Sequence, residues 1–440
     1  MVAPLKVGLA GLGTVGAAVL RILAQEQAAL GARCGRAIEV VGVSARSPAK
    51  DRGIDLQKFR WASDPVALAS DPEIDVFVEL IGGEGDPARQ AVETALSAGK
   101  SVVTANKALL ARHGAALARL AEQKNAALHF EAAVGGAIPI IRTLREGLIG
   151  NSFARVYGIL NGTCNYILTR MEQDNLSFAD CLKEAQRLGY AEADPSFDVD
   201  GHDTAQKLAI LASLAFGTRV DPDNVYIEGI SSIAPEDLEA AEELGYRVKL
   251  LGVAMRTSNG IEQRVHPTMV PRDSAIAQVM GVTNAVTIDA EEISPITLVG
   301  PGAGGMATAS AVVADIGDIA RGVCAPPFGR PAAGLTVSKK APMQRHEGGY
   351  YIRFLALDQP GTAATIAQRL AEQQISIESI VQRHRGERPL GGEHTGGMPV
   401  PVIIITYATT EDAVRRALKS IETDKVISGK PQLIRIEKNR

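Results

Sequence analysis

The chain has 440 residues, 46% of them hydrophobic, and a formal net charge of −4 from 46 lysines and arginines against 50 acids. That length exceeds one ordinary core and predicts two or three domains; the apolar content excludes extended disorder, and the mild acidity offers no basic face for nucleic acid. No apolar run approaches the ~20 residues that cross a bilayer, and the scattered Cys34, Cys164, Cys181 and Cys324 form no CxxC pair, which predicts a reduced cytoplasmic protein without disulfides or zinc.

The N-terminus runs directly into "LKVGLAG", with no signal-peptide pattern. Further apolar runs, "IEVVGVSA", "IDVFVELIG", "SVVTAN" and "ALHFEAAV", alternate with "TVGAAVLRILAQEQ", "DPARQAVETALSAG" and "KALLARHGAALARLAEQKN", which carry helical apolar spacing. Strand alternating with helix predicts an α/β domain over residues 1–130, a parallel doubly wound sheet of the Rossmann type. The pattern changes over 131–330. "FARVYGILNGTCNYIL" reads as strand, loop and helix, "FADCLKEAQRLGYAEAD" as a helix stopped at Gly189, and "DTAQKLAILASLAFG" as an apolar helix ending at Gly217. "RVKLLGVAMRT", "IEQRVHPTMV" and "NAVTIDAEE" alternate like antiparallel strands, so this part is an α+β domain; "GPGAGGMATASAVVADIGDIARG" then returns a helix toward the first domain. A Gly/Pro/Lys-rich linker spans 331–348, and 349–440 reads βαββαβ.

Gly11, Gly13 and Gly16 form "GLGTVG" between the first strand and its helix, the setting in which GxGxxG binds a dinucleotide. Gly11, Leu12, Gly13, Thr14, Val15 and Gly16 are therefore cofactor candidates, with the phosphates on free N–H groups at the helix start. An acid at the end of the second strand would hold the ribose hydroxyl of NAD; here Ser44, Arg46, Ser47 and Lys50 stand there instead, and Arg46 favours NADP over NAD. Thr104, Asn106 and Lys107 fall at another strand's carboxyl end, where open α/β sheets bind ligands, and a cation at a helix start opposes the dipole unless it serves a ligand.

The stretch "GYAEADPSFDVDGHDTAQKLAILASLAF" places Glu192, Asp194, Asp198 and Asp200 ahead of Asp203 and Lys207, which share one helical face. Asp194 reads as a turn residue and Asp200 as the cap of the following helix. The helix is apolar nearly all round, so its lysine is half buried beside Asp203.

With "GLGTVG", "TANK", "NGTCNYIL", "LGYAEADPSFDVDGHDTAQKLAIL" and "GPGAGG" in this order, residues 5–330 resemble homoserine dehydrogenase, and the last domain resembles an ACT domain. The resemblance implies NAD(P)H-dependent reduction of L-aspartate 4-semialdehyde to L-homoserine, reversibly, on the route to threonine and methionine. It implies Lys207 as acid/base supported by Asp203, and Glu192, Asp198, Lys107, Gly162 and Thr163 at the substrate. Lys107 and Gly302 would also meet the cofactor. A monovalent cation, Na+ or K+, would lie at Glu131, Val134, Gly136 and Ile138, largely on backbone oxygens. The middle domain would also dimerise the chain, as a homodimer or homotetramer, and length predicts no fused aspartokinase.

A substrate bearing ammonium and carboxylate suits this set: acids for the ammonium, Lys107 and the "NGT" N–H groups for the carboxylate. Lysine titrates near ~10.4 unperturbed, so Asp203 should keep Lys207 a proton donor, favouring reduction at neutral pH. Cys164 departs from the family's common threonine; a reactive thiol and a small buried cysteine are both open readings. The ACT-like tail predicts threonine as effector at the "DQPG" turn, or a dimerisation role alone. A chain shortened to its first ~340 residues is then expected to stay active and lose threonine sensitivity. Another amino-acid or semialdehyde dehydrogenase, and an inactive nucleotide and amino-acid sensor, remain as alternatives.

Overall fold

Six short strands in the first domain pair in parallel: β1 (Leu5–Ala10), β2 (Ile38–Ser44), β3 (Arg60–Ala62), β4 (Val76–Glu79), β5 (Ser101–Thr104) and β6 (Leu128–His129). These come from a computed structural model that describes residues 2–337, 339, 343, 346–382 and 399–437. The order β3-β2-β1-β4-β5-β6 is that of a doubly wound dinucleotide-binding sheet. Burial on both faces explains the unbroken apolar runs. Val76 and Val78 enter one core with Ala18, Val19 and Val312, while Phe77 between them enters the other with Leu68, Val92 and Leu109. The first core is closed by the helices Thr14–Gln25 and Gly305–Ala320, so a segment nearly 300 residues later in the chain covers the cofactor domain.

Two elements here lack a sequence signal. β3 has three residues at the sheet edge, and the helix Pro65–Ser70 has six. Neither is long enough for a period to show. The helix instead forms on local chemistry: Asp64 accepts the N–H groups of Val66 and Ala67, and Pro65 takes the first helical position. "TVGAAVLRILAQEQ", expected as one helix, stops at Gln25; a second helix starts at Gln27.

A second sheet holds β7 (Phe153–Ile159), β8 (Tyr226–Ile227), β9 (Tyr246–Thr257), β10 (Gly260–Pro271), β11 (Thr283–Ala290), β12 (Ile296–Pro301), β13 (Glu347–Leu357), β14 (Ile377–Gln382), β15 (Pro399–Thr406) and β17 (Gln432–Ile436), with β16 (Thr409–Thr410) on β13. Its path is β12-β11-β7-β9-β10-β17-β13-β15-β14. The helix His202–Phe216 lies on β7, β9 and β10, and Gly252 permits the close approach: a Cβ there would stand 3.0 Å from Thr204 and 3.2 Å from Leu160. The last domain folds βαββαβ, with helices Thr362–Glu372 and Glu411–Thr423 over a core of Tyr350, Ile352, Phe354, Ile404 and Val414.

The tail is not a separate bead. β17 pairs in parallel with β10 through Thr268–Arg435 and Met269–Ile436, so one sheet crosses both domains. Charges seal the seam. Arg435, 1% exposed, donates to Glu228 Oε2 at 2.6 Å and to Glu411 Oε2 at 3.0 Å. Glu437 pairs with Arg264 and, at 3.1 Å, with Arg155; Arg353 grips Asp237 with two donors. Cutting the chain after the linker would leave Arg264 and Glu228 without these partners. The tail is therefore joined to its neighbour by paired strands and buried charges and not by the linker alone. Breaking a buried pair costs roughly 3–5 kcal/mol, so Arg435→Ala should lower the unfolding free energy by about that much in urea denaturation followed by circular dichroism. A loss below about 1 kcal/mol would show that the seam contributes little.

Candidate active site

The turn after β1 is built on three glycines with three geometries. Gly11 has φ +100°, and a Cβ there would stand 2.2 Å from the Leu80 carbonyl oxygen. At Gly16 a Cβ would meet the Gly11 oxygen at 2.0 Å, the close helix–strand contact. Around Gly13 there is nothing within 4 Å of the missing Cβ, which leaves room for a pyrophosphate against the backbone. Leu12 is buried, Thr14 opens the helix against Gly305, and Val15 packs on the core. A cleft of about 470 Å3 opens here, lined among others by Gly11, Gly13, Ser44, Arg46, Lys50 and Leu80. β2 ends at Ser44 without an acid, and Arg46 is exposed on the cleft wall. Arg52 fixes this wall by donating to the carbonyls of Leu12, Lys50 and Ser47 at 2.9, 2.6 and 2.8 Å.

Thr104 at the end of β5 is fully buried. Its hydroxyl donates to Glu79 Oε2 at 2.6 Å and accepts from the Asn106 N–H at 3.0 Å. Glu79 Oε1 accepts the N–H groups of Ile81 and Gly82. Thr104 thus shapes the two loops at the carboxyl ends of β4 and β5. Asn106 caps the helix Lys107–Gln123 and sends Nδ2 to the Gly83 carbonyl, which sets Lys107 at the helix start.

Asp203 is the meeting point of the site. Its Oδ2 accepts from Lys207 Nζ at 2.8 Å and from Asn161 Nδ2 at 2.9 Å, and its Oδ1 lies 3.2 Å from Lys107 Nζ. Lys207 also donates to the Leu160 carbonyl at 2.8 Å. Burial pushes the Asp203 carboxyl up, but the two ammoniums and the hydrogen bonds outweigh it and hold it down at about 2. Asn161 Nδ2 also reaches Asp198 Oδ1 at 2.7 Å. Burial and the neighbouring Asp203 raise the Asp198 carboxyl. The helix His202–Phe216 is capped by Gly201 at φ +91°, and Asp200, expected as its cap, instead closes the short helix Ser196–Val199. A side chain at 201 would press on Val265 and Ile227, so the cap must be backbone alone. Asp194 is a turn residue, accepting the Ser196 N–H.

The remaining candidates spread around this centre. Gly162 begins the helix Gly162–Asp174 beside the Val282 carbonyl, and Thr163 donates to the Tyr190 carbonyl at 2.7 Å. Glu192 is exposed, its main-chain carbonyl accepts from Gln186 Nε2 at 3.0 Å, and the structure does not bring its carboxylate into the Asp203 cluster. Cys164 has no exposed surface, its Sγ lies 3.2 Å from the Asp198 carbonyl, and burial among carboxylates pushes the thiol well up. Of its two readings, the buried cysteine is the one realised. Glu131 accepts the N–H groups of Ile141 and Arg142, while burial and Asp315 push its carboxyl up to about 7. Gly136, φ +58°, bends the chain so tightly that a Cβ would stand 2.5 Å from the Gly302 oxygen and 2.8 Å from that of Pro301; Ile138 and Val134 flank it, both buried. Gly302 lies flat against Asn284.

Asn161, Glu79 and Arg52 were not read from the sequence. Asn161 had a signal, since it precedes the helix and its Oδ1 caps it on the Cys164 N–H. Glu79 and Arg52 had none: each bonds backbone of its own loop and also one distant group, Thr104 for Glu79 and the Leu12 carbonyl for Arg52.

Comparison with known proteins agrees with this geometry. Residues 11–131 match the model of the homoserine dehydrogenase NAD-binding domain, 139–316 that of homoserine dehydrogenase, and 350–423 that of the ACT domain. A homoserine dehydrogenase of Pseudomonas aeruginosa is 43% identical over 99% of both chains. The crystal structure of one from Thiobacillus denitrificans is 42% identical, with a TM-score of 0.91 over 99% of this chain and 98% of that one. A hyperthermophilic archaeal homoserine dehydrogenase in complex with NADPH is 28% identical, with a TM-score of 0.61 over 72% of this chain and 97% of that one. Dinucleotide cleft, buried lysine pair and tail thus fall together in one known set, and the chain belongs to the homoserine dehydrogenase family of NAD(P)-dependent oxidoreductases acting on a CH–OH group.

Proposed function

We propose that Lys207 is the proton donor in the reduction of L-aspartate 4-semialdehyde to L-homoserine, and the acceptor in reverse. The observation that carries this is the buried ammonium of Lys207, 2.8 Å from both Asp203 Oδ2 and the Leu160 carbonyl. An ammonium has three donors. Two are spent on these partners, which aims the third at a substrate oxygen. Asp203 holds the group in place, with Lys107 on its other oxygen. When bound, the reduced nicotinamide supplies the hydride; Lys207 delivers the proton to the carbonyl oxygen. Asp198, tied to Asp203 through Asn161, faces the substrate ammonium with Glu192 at the rim. Lys107 and the N–H groups of Gly162 and Thr163 receive the carboxylate.

The cofactor preference is NADP over NAD. Arg46 and Lys50 stand on the cleft wall where an acid would otherwise meet the ribose, and the archaeal relative in complex with NADPH supports the same reading. The bend Glu131–Ile138 fits a monovalent cation, Na+ or K+: a buried carboxylate raised to about 7 and a turn pressed onto the Gly302 and Pro301 oxygens offer the hard oxygen donors such an ion takes. Glu131, Val134, Gly136 and Ile138 would hold it, and it would fix the junction between the domains. The "DQPG" turn, Asp358 to Gly361, joins β13 to the helix Thr362–Glu372 with Gly361 at φ +92° as its cap, which suits threonine as effector. The two edge strands β12 and β14 favour a homodimer or homotetramer. No described helix is long and apolar enough to cross a membrane, in keeping with a cytoplasmic enzyme.

Three measurements test this reading. Lys207→Met should lower kcat for reduction by about 10²–10⁴-fold while NADPH still binds by fluorescence titration; turnover within tenfold of the parent would remove Lys207 from the role. Asp203 stays ionised down to about pH 2, and a lysine side chain loses its proton only near ~10.4. Reduction should therefore proceed at neutral pH, whereas homoserine oxidation should rise toward alkaline pH; superimposable profiles in the two directions would contradict the assignment. Arg46→Ala should shift the kcat/KM ratio of NADPH over NADH toward NADH by about tenfold, the worth of ~1.4 kcal/mol, and an unchanged ratio would refute the role of Arg46.

A further inference from the structure

A second polar cavity, about 370 Å3, lies at the far end of the helix that carries Lys207. Leu214 and Ala215 of that helix line it, with Arg145, Arg256, Arg330 and Glu291. Three guanidiniums thus meet one carboxylate. Arg256 rests on the Phe216 ring, 5.4 Å from its centroid, and Arg330 lies against Gly217, where a Cβ would stand 2.1 Å from its Nη1. Neither has an ion-pair partner among the described residues. Arg145 is different in kind. Its side chain is 2% exposed, Nε and Nη2 are spent on Glu146 at 3.0 and 2.7 Å, and Nη1 is buried without a partner.

Cations at a helix C-terminus are stabilising, and that accounts for Arg256 and Arg330. It does not account for Arg145. A charged donor buried without an acceptor costs on the order of 1–3 kcal/mol, and two further positive charges beside it add repulsion. Arg145 also belongs to a π-helical turn, Thr143–Gly147, a rare conformation often found at functional sites. The turn follows Ile141 and Arg142, whose N–H groups hold Glu131.

We propose that this cavity binds a small oxyanion, a phosphate or a carboxylate, with Arg145 as buried donor and Arg256 and Arg330 as its outer wall. Guanidinium groups match such ions because their forked donors meet two oxygens at once. The occupant would sit between the Glu131 loop and the end of the helix opposite Lys207, touching neither substrate nor cofactor.

The test uses the full chain saturated with NADPH, so that the dinucleotide cleft is filled. Inorganic phosphate and malonate are each titrated by calorimetry at ionic strength held constant with chloride, against the parent and an Arg256→Gln/Arg330→Gln variant. Both side chains are exposed, and urea denaturation confirms that the variant folds. Saturable binding weakened at least tenfold in the variant is the expected result, and the probe that shows it identifies the anion class. Binding of equal strength in parent and variant, or no saturable binding of either ion, overturns the proposal.

Discussion

One buried carboxylate organises the chemical end of this molecule. Asp203 accepts Lys207, Lys107 and Asn161, groups from three segments that are far apart in the chain. Each would be costly to bury alone, and a charge left without its partner in a desolvated site is worth several kcal/mol of destabilisation. Together they satisfy one another, and the first domain, the "NGT" turn and the long helix are tied at a single point. The same contacts decide protonation. Two ammoniums beside one carboxylate keep it ionised against the effect of burial.

The cofactor end follows a different logic, that of backbone room. Gly11 and Gly16 are places where atoms touch, whereas Gly13 is a place where none do. Asn106 and Glu79 then close the loops by bonding to backbone, so that Lys107 starts its helix beside Asp203. The carboxyl end of β5, through Lys107, consequently meets the Asp203–Lys207 pair, beside the switch point of a doubly wound sheet.

The tail is bound to the catalytic domain by sheet and by charge. Glu228, held by Arg435, is followed by Gly229, where a Cβ would stand 2.4 Å from the Val199 carbonyl oxygen, and Ile230 donates to that same oxygen at 2.9 Å. The segment gripped by the tail therefore backs directly onto the loop that ends at Gly201 and starts the helix of Asp203 and Lys207. A cleft of about 920 Å3, lined by Asp200 on one side and Arg415 and Lys419 on the other, runs along this seam. Between the tail and the helix cap there is thus one continuous run of contacts, Arg435 to Glu228, Gly229 and Ile230 to Val199.

Local pattern was enough for much of this. Apolar runs and helical periods announce the parallel sheet, the apolar helix with Asp203 and Lys207 four residues apart, and the βαββαβ tail, because each depends on neighbours within a few residues. The glycine motif likewise shows its cofactor role in a short stretch. What the pattern does not carry are pairings between distant segments. The placement of Lys107 on Asp203, the bridge of Asn161 to Asp198, the exposure of Glu192, and the joining of β17 to β10 depend on how separate elements pack. Tertiary structure also set the cap at Gly201 and not Asp200, in a left-handed turn at φ +91° pressed close to Val265 and Ile227. Residue type and spacing determined which groups this protein has for its chemistry; only packing, which sets distance and burial, decided which of them share one charge.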